Sequence, residues 1–118
     1  MGSTKITSSN VNEIDAKLKT YLSPIVKIEY LENCLKTMVP NDAARFCHLQ
    51  LAELYAARLM YGPAAKQMGA AAEKATTFKD KINFYLKEIN LLIKVGDYLT
   101  IDNVYKKALL CTNTTAEK

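Results

Sequence analysis

The chain has 118 residues, 49% of them hydrophobic, which is enough to bury the core of one domain without metal ions or disulfides. Its formal net charge is only +4, and fourteen of its sixteen cationic residues are lysines. Nucleic-acid-binding proteins are usually more basic, with their cations gathered on one face. In the second half of the chain, lysines alternate with Asp80, Glu88 and Asp97, so we expect a solvated surface there. The composition argues against wholesale disorder and against nucleic acid as the main partner.

Two further exclusions concern membranes and disulfides. No apolar run approaches the ~20 residues that a membrane-spanning helix needs. Residues 1–10 contain no hydrophobic signal-peptide core, so we expect a cytoplasmic protein. The cysteines Cys34, Cys47 and Cys111 are odd in number and widely spaced, which favours free thiols.

Proline, glycine and capping residues predict three helices in the first half of the chain. The first is expected over residues 10–21, where apolar side chains recur at helical spacing. Ser23 followed by Pro24 is typical of a helix start, and Pro40 should end that second helix. The third helix is expected to begin at a cap residue, Asn41 or Asp42.

The second half of the chain predicts three more helices. Gly62 and Pro63 should break the third helix and open a fourth over residues 64–75. A fifth is expected over residues 79–95, ended by Gly96 in a left-handed cap. The sixth should start at Asp97 or Thr100 and run to residue 110. We therefore expect a disordered segment 1–9, one helical domain over 10–110 and a polar tail over 111–118.

The chain also contains an internal repeat. A shift of 37 residues brings together positions that are small or apolar in both copies: Ala52 with Ile89, Tyr55 with Leu92, Tyr61 with Tyr98, Ala64 with Ile101, Met68 with Tyr105 and Ala71 with Ala108. The same shift places Leu51 on Glu88, where the two copies differ. Repeats of this length are typical of stacked helix pairs, in which each pair buries its apolar face on the next.

The middle repeat resembles the tetratricopeptide family, in which a leucine, a small residue and a tyrosine line the first helix of each pair. The matching residues are Leu51, Ala52 and Tyr55 in the first helix, then Tyr61, Ala64, Met68 and Ala71 in the second. The period of 37 is longer than the roughly 34 residues of the family. The resemblance covers residues 8–110. It implies an all-α fold of about six helices, paired as antiparallel hairpins and stacked as a short right-handed solenoid.

The repeat gives the alanine-rich segment 61–75 a physical role. Small side chains at Ala52, Ala64 and Ala71 should let paired helices approach closely, and larger ones should be overpacked. Ala70 and Ala72 are expected to face away from the pair. Since no strand precedes Gly62 or Gly69, and their spacing matches no phosphate-binding loop, a phosphate cradle is not indicated.

The sequence offers little for catalysis or metal binding. Cys47 and His48 are adjacent, and adjacent residues of a helix point about 100° apart, so they cannot jointly hold one atom. No CxxC or HxxxH spacing is present. No carboxylate lies in an apolar run that should raise its pKa. We expect a protein that is not an enzyme and has no cofactor.

A concave surface is the remaining candidate site. In tetratricopeptide-like stacks the first helix of each pair lines a groove that takes a peptide or helix. Transferred to this chain, the resemblance implies a partner-binding set of Phe46, Leu49, Glu53, Asn83, Leu86, Asn90 and Lys94. Phe46 and Leu49 could instead pack on the first helix pair or on a sister subunit.

We therefore expect a non-enzymatic protein-interaction module, an adaptor that binds a protein or peptide partner. Two alternatives stay open at this point. One is binding of RNA or an acidic surface through lysines, and the other is a scaffold subunit of a homo- or hetero-oligomer that associates through the exposed ends of its stack.

Overall fold

The computed structural model describes residues 10–37 and 39–116, with side chains as far as Thr112. The described residues form six α-helices and no strand, as the sequence predicts: α1 Val11–Leu18, α2 Pro24–Lys36, α3 Asn41–Ala57, α4 Tyr61–Glu73, α5 Phe78–Val95 and α6 Tyr98–Ala116. The disordered segment predicted at 1–9 lies outside the described residues. The segment predicted as a polar tail is helical as far as Ala116, so α6 extends beyond the expected end at residue 110.

Local capping signals start and end several of these helices as predicted. Ser23 Oγ accepts a hydrogen bond from the backbone N–H of Val26, and Pro24 occupies the first turn of α2. Gly96 ends α5 with a φ of 84°, the left-handed conformation that glycine adopts without strain. Asp97 precedes α6, and its carboxylate accepts hydrogen bonds from the N–H and the hydroxyl of Thr100.

Two predicted helix boundaries are wrong. Asn41 and Asp42 are not the cap of α3; Asn41 is its first residue and uses its side-chain amide to bond the Lys74 carbonyl at 2.7 Å. Gly62 and Pro63 do not break the chain either, because both lie inside the first turn of α4, where proline costs no hydrogen bond. The break is made by Leu59, which has a φ of 63° and is exposed.

Hydrophobic side chains form two core clusters. The first joins α1, α2 and α3 around Ile14, Leu31 and Leu51, all fully buried. The second joins α4, α5 and α6. It contains Tyr85 and Leu92 of α5, small residues of α4, and Val104 of α6. The two clusters are linked by the packing of α3 on α4.

Helix α4 lies between α3 and α5 and is buried on both sides. Ala65 and Ala72 belong to the second core cluster, with α5. Ala64 and Ala71 are also fully buried, and their positions around the helix direct them towards α3. Ala72 therefore faces away from the α3–α4 pair as expected, but it is not on the surface, because it is buried against α5 with an exposure of 0%. The alanine-rich segment is therefore a helix that α3 approaches closely on one face and α5 on another.

Polar contacts show that α3, α4 and α5 run antiparallel to their neighbours. Arg45 near the start of α3 donates to the Lys74 carbonyl at the end of α4, whereas His48, further along α3, bonds Gln67. Similarly, Lys81 near the start of α5 donates to carbonyl oxygens at the end of α4. The molecule measures 50 × 33 × 19 Å.

Candidate functional site

A shallow apolar groove of about 250 Å³ runs between α3 and α5, over α4. We call it the α3–α5 groove, and its lining residues are Ala52, Glu53, Ala56, Met68, Lys87, Asn90 and Leu91. The side chains at its floor are small or buried, since Ala52 and Met68 are almost inaccessible. Its rim carries one acid, one base and one amide, all three exposed.

The structure brings two residues of the predicted partner-binding set into this groove, Glu53 from α3 and Asn90 from α5. They are 37 residues apart in sequence, so they occupy equivalent positions of the internal repeat. Lys87 and Leu91 also line the groove but are absent from the predicted set. Lys87 lies about one helical turn before Asn90, so the same helical spacing could have identified it.

The other predicted residues lie outside the groove. Asn83, Leu86 and Lys94 are exposed on α5, and the Lys94 ammonium lies 5.4 Å from the centre of the Tyr61 ring. Phe46 is half-buried and packs against the first core cluster, and Leu49 is half-buried as well. The location of Phe46 agrees with the alternative in which this side chain packs on the first helix pair.

A second feature, which the sequence analysis missed, is a buried carboxylate at the interface of α4 and α5. Glu88 is 9% exposed, and burial raises the pKa of its carboxyl group to about 7. The expectation that no carboxylate has a raised pKa is therefore wrong, and so is the placement of Glu88 on the solvated surface. The repeat contains a signal for this burial, because a shift of 37 residues places Glu88 on Leu51, which is fully buried.

Charged groups near Glu88 modify its pKa in opposite directions. Lys107 of α6 lowers it and Glu73 of α4 raises it, but burial outweighs both. Lys107 is placed closer to another carboxylate, since its Nζ lies 3.7 Å from Glu73 Oε2. Glu73 also accepts a 2.6 Å hydrogen bond from the Tyr85 hydroxyl, which lowers the Glu73 pKa.

The cysteines and the histidine occupy ordinary packing positions. Cys34 and Cys47 are buried free thiols, and burial raises the Cys47 pKa to about 12. The ring Nδ1 of His48 lies 2.7 Å from the Gln67 side-chain oxygen, across the α3–α4 interface. Within the described part of the chain, no group of three or more His, Cys, Asp or Glu side chains could hold a metal ion.

Comparison of the chain with known protein families, with curated proteins and with solved structures finds no match in any of the three. Over residues 10–37 and 39–116, no helix has both the length and the apolar character that a membrane crossing requires.

Proposed function

We propose that this chain is a non-enzymatic protein-interaction module that binds a short peptide in the α3–α5 groove. The observation that carries the proposal is the meeting of Glu53 and Asn90, from equivalent positions of the repeat, at the rim of one apolar groove. An apolar floor takes a side chain of the peptide, and the amide of Asn90 can donate to and accept from its backbone.

The proposed arrangement of the helices is a short right-handed solenoid of tetratricopeptide-like hairpins. Three observations support it: the serial packing of helices, the antiparallel course of α3, α4 and α5, and the repeat relation of Glu53 to Asn90. The smallest dimension of the molecule, 19 Å, is about twice the diameter of a helix, as two layers of helices require.

The charges at the rim favour a peptide of mixed charge. Glu53 and Lys87 lie on opposite helices of the groove and are both exposed. A basic residue of the peptide would meet Glu53 and an acidic one Lys87, which fixes the direction in which the peptide lies. Such rim charges contribute more to orientation and association rate than to affinity.

Selection of peptides from a random displayed library tests the proposal. We expect selected peptides to bind the wild-type chain and to lose at least tenfold in affinity for a Glu53→Ala/Asn90→Ala variant. A matched control, Asp102→Ala/Asn103→Ala, removes an acid and an amide from the exposed surface of α6 and should bind normally. Equal binding to both double variants would place the site elsewhere.

A scaffold role in an oligomer is a second candidate. It is favoured by large apolar side chains that stay exposed on α6, of which Tyr98 is 70%, Leu99 76% and Leu110 67% exposed. Light scattering over a concentration series tests this candidate, and a mass that stays monomeric at every concentration would argue against a homo-oligomer.

A further inference from the structure

A second cavity, separate from the α3–α5 groove, opens beside Glu88. It has a volume of about 460 Å³ and lies where α3 ends, α4 begins and α5 ends. It shares no lining residue with the α3–α5 groove. Tyr55, Leu92 and Val95 supply apolar wall, and Glu88 supplies a carboxylate. We call it the Glu88 cavity.

The Glu88 carboxylate has no counter-ion in direct contact within residues 10–37 and 39–112. Among the described residues, none forms an ion pair or a hydrogen bond with it. Every completely buried side-chain nitrogen or oxygen of the described part does have a partner. The Glu88 oxygens must therefore keep some contact with solvent, and the cavity that Glu88 lines provides it.

A buried carboxylate without a partner is costly, and a cation placed against it removes most of that cost. We propose that the Glu88 cavity binds an organic cation, an alkylammonium or guanidinium group on an apolar stem, with its charged head at Glu88 and its stem against Leu92 and Val95. The cation can come from a free amine or from a lysine or arginine side chain of a partner protein.

The other polar groups of the cavity fit this class of ligand better than a metal ion. Two carboxylates line the cavity, the buried Glu88 and the exposed Asp97, which accepts two hydrogen bonds from Thr100. A metal ion needs several oxygen ligands, and no group of three or more His, Cys, Asp or Glu side chains that could hold one is present among the described residues. The apolar wall adds affinity only for a ligand that has a carbon stem.

Binding should depend on pH, because a cation requires Glu88 to be ionised. The groups that act on its charge are Glu73 of α4 and Lys107 of α6, and Lys66 and Asp97 line the cavity itself. With a pKa of about 7, the ionised fraction rises about tenfold between pH 6 and pH 8, and the apparent affinity should rise by the same factor.

Titration of the full chain with n-butylammonium chloride, followed by amide NMR, tests the proposal. We expect saturable shifts at Gly62, Ala65 and Leu92 that n-butanol and sodium chloride do not reproduce. Glu88→Gln keeps the shape of the side chain but removes its charge, and it should abolish these shifts while the spectrum stays that of a folded protein.

Two results would overturn the proposal: equal binding of n-butylammonium by the Glu88→Gln variant, or an affinity that does not change between pH 6 and pH 8. The source of the cation is settled by a second ligand, Nα-acetyl-lysine amide. Tighter binding of this ligand than of n-butylammonium supports a partner's side chain, and weaker or equal binding supports a free amine.

Discussion

The Glu88 carboxylate of α5 lies directly against Gly69 of α4. A Cβ atom added at Gly69 would come within 2.8 Å of Glu88 Oε2, closer than real Cβ contacts allow. The absence of a side chain at Gly69 therefore makes room for the buried acid. Ala65 and Ala72, about one turn away on either side, belong to the same core cluster as Leu92 and Tyr85 of α5. Small residues on α4 are thus matched to larger ones on α5.

A double-mutant cycle on this pair should show coupling. Gly69→Ala should be less favourable in the wild-type chain than in a Glu88→Ala variant, because in the wild type the Glu88 carboxyl group must move from its place. In a Glu88→Ala background the same substitution should be neutral or stabilising by up to ~1 kcal/mol, since alanine is the better helix former. Chemical denaturation of the four proteins gives the coupling energy. Additive effects would show that the two residues do not meet.

The contribution of Glu88 to stability should fall as pH rises from 4.5 to about 7. The folded-state pKa of Glu88, about 7, lies above the ordinary glutamate value of 4.5, so between these values the folded chain holds a proton that the unfolded chain has lost. Its stabilising contribution is complete below pH 4.5 and lost as pH rises through 7, a change on the order of 3 kcal/mol.

Denaturation midpoints of the wild-type chain and Glu88→Gln, measured from pH 5 to pH 8, check this prediction. The denaturation midpoint of the variant should change less with pH over that range, and the variant should be more stable than wild type at pH 8. Parallel curves for the two proteins would mean that Glu88 does not titrate in this window.

Ala72 should tolerate no larger side chain, because it is fully buried between α4 and α5. Ala72→Leu should destabilise the chain by roughly 1–3 kcal/mol through overpacking, as should Ala64→Leu and Ala71→Leu. Ala16→Leu, on the exposed surface of α1, is the control and should change stability by less than about 0.5 kcal/mol. A neutral Ala72→Leu would place Ala72 on the surface.

Leu59 offers a stabilising substitution. Its φ of 63° is unfavourable for a residue with a Cβ atom, and its side chain is 72% exposed, so little packing is lost when it is removed. Leu59→Gly should raise the free energy of unfolding by about 1 kcal/mol. Met60→Gly, at a neighbouring residue with a φ of −95°, should give no such gain. Loss of stability in Leu59→Gly would show that this backbone conformation is not adopted.

The features that the sequence predicted well depend on local chemistry. Ser23 with Pro24, Gly96 and Asp97 act on backbone groups within a few residues, so their roles can be read from adjacent positions. The break at Leu59 could not be predicted, because leucine gives no signal for a left-handed conformation and the neighbouring Gly62 and Pro63 gave a misleading one.

The features that were not predicted depend on packing between residues that are far apart in the sequence. The repeat indicates which face of α4 packs on α3, the other helix of the same hairpin. It therefore predicted burial of Ala64 and Ala71, but not of Ala72, which faces α5 of the next hairpin. The repeat aligns Glu88 with the fully buried Leu51, but the space for a carboxylate there comes from Gly69, on a different helix. The set implied by the family resemblance contains Glu53 and Asn90, which line the groove, but also Phe46 and Leu49, which do not.

Filling the α3–α5 groove tests the proposed function most directly. Ala56 lines the groove and is half-buried, whereas the adjacent Ala57 is exposed and lies outside it. The dissociation constant of a library-selected peptide should rise at least tenfold for Ala56→Trp and stay within about twofold of wild type for Ala57→Trp, with both variants fully helical. If a folded Ala56→Trp variant binds the peptide as tightly as wild type does, the groove is not the binding site and the proposed function is wrong.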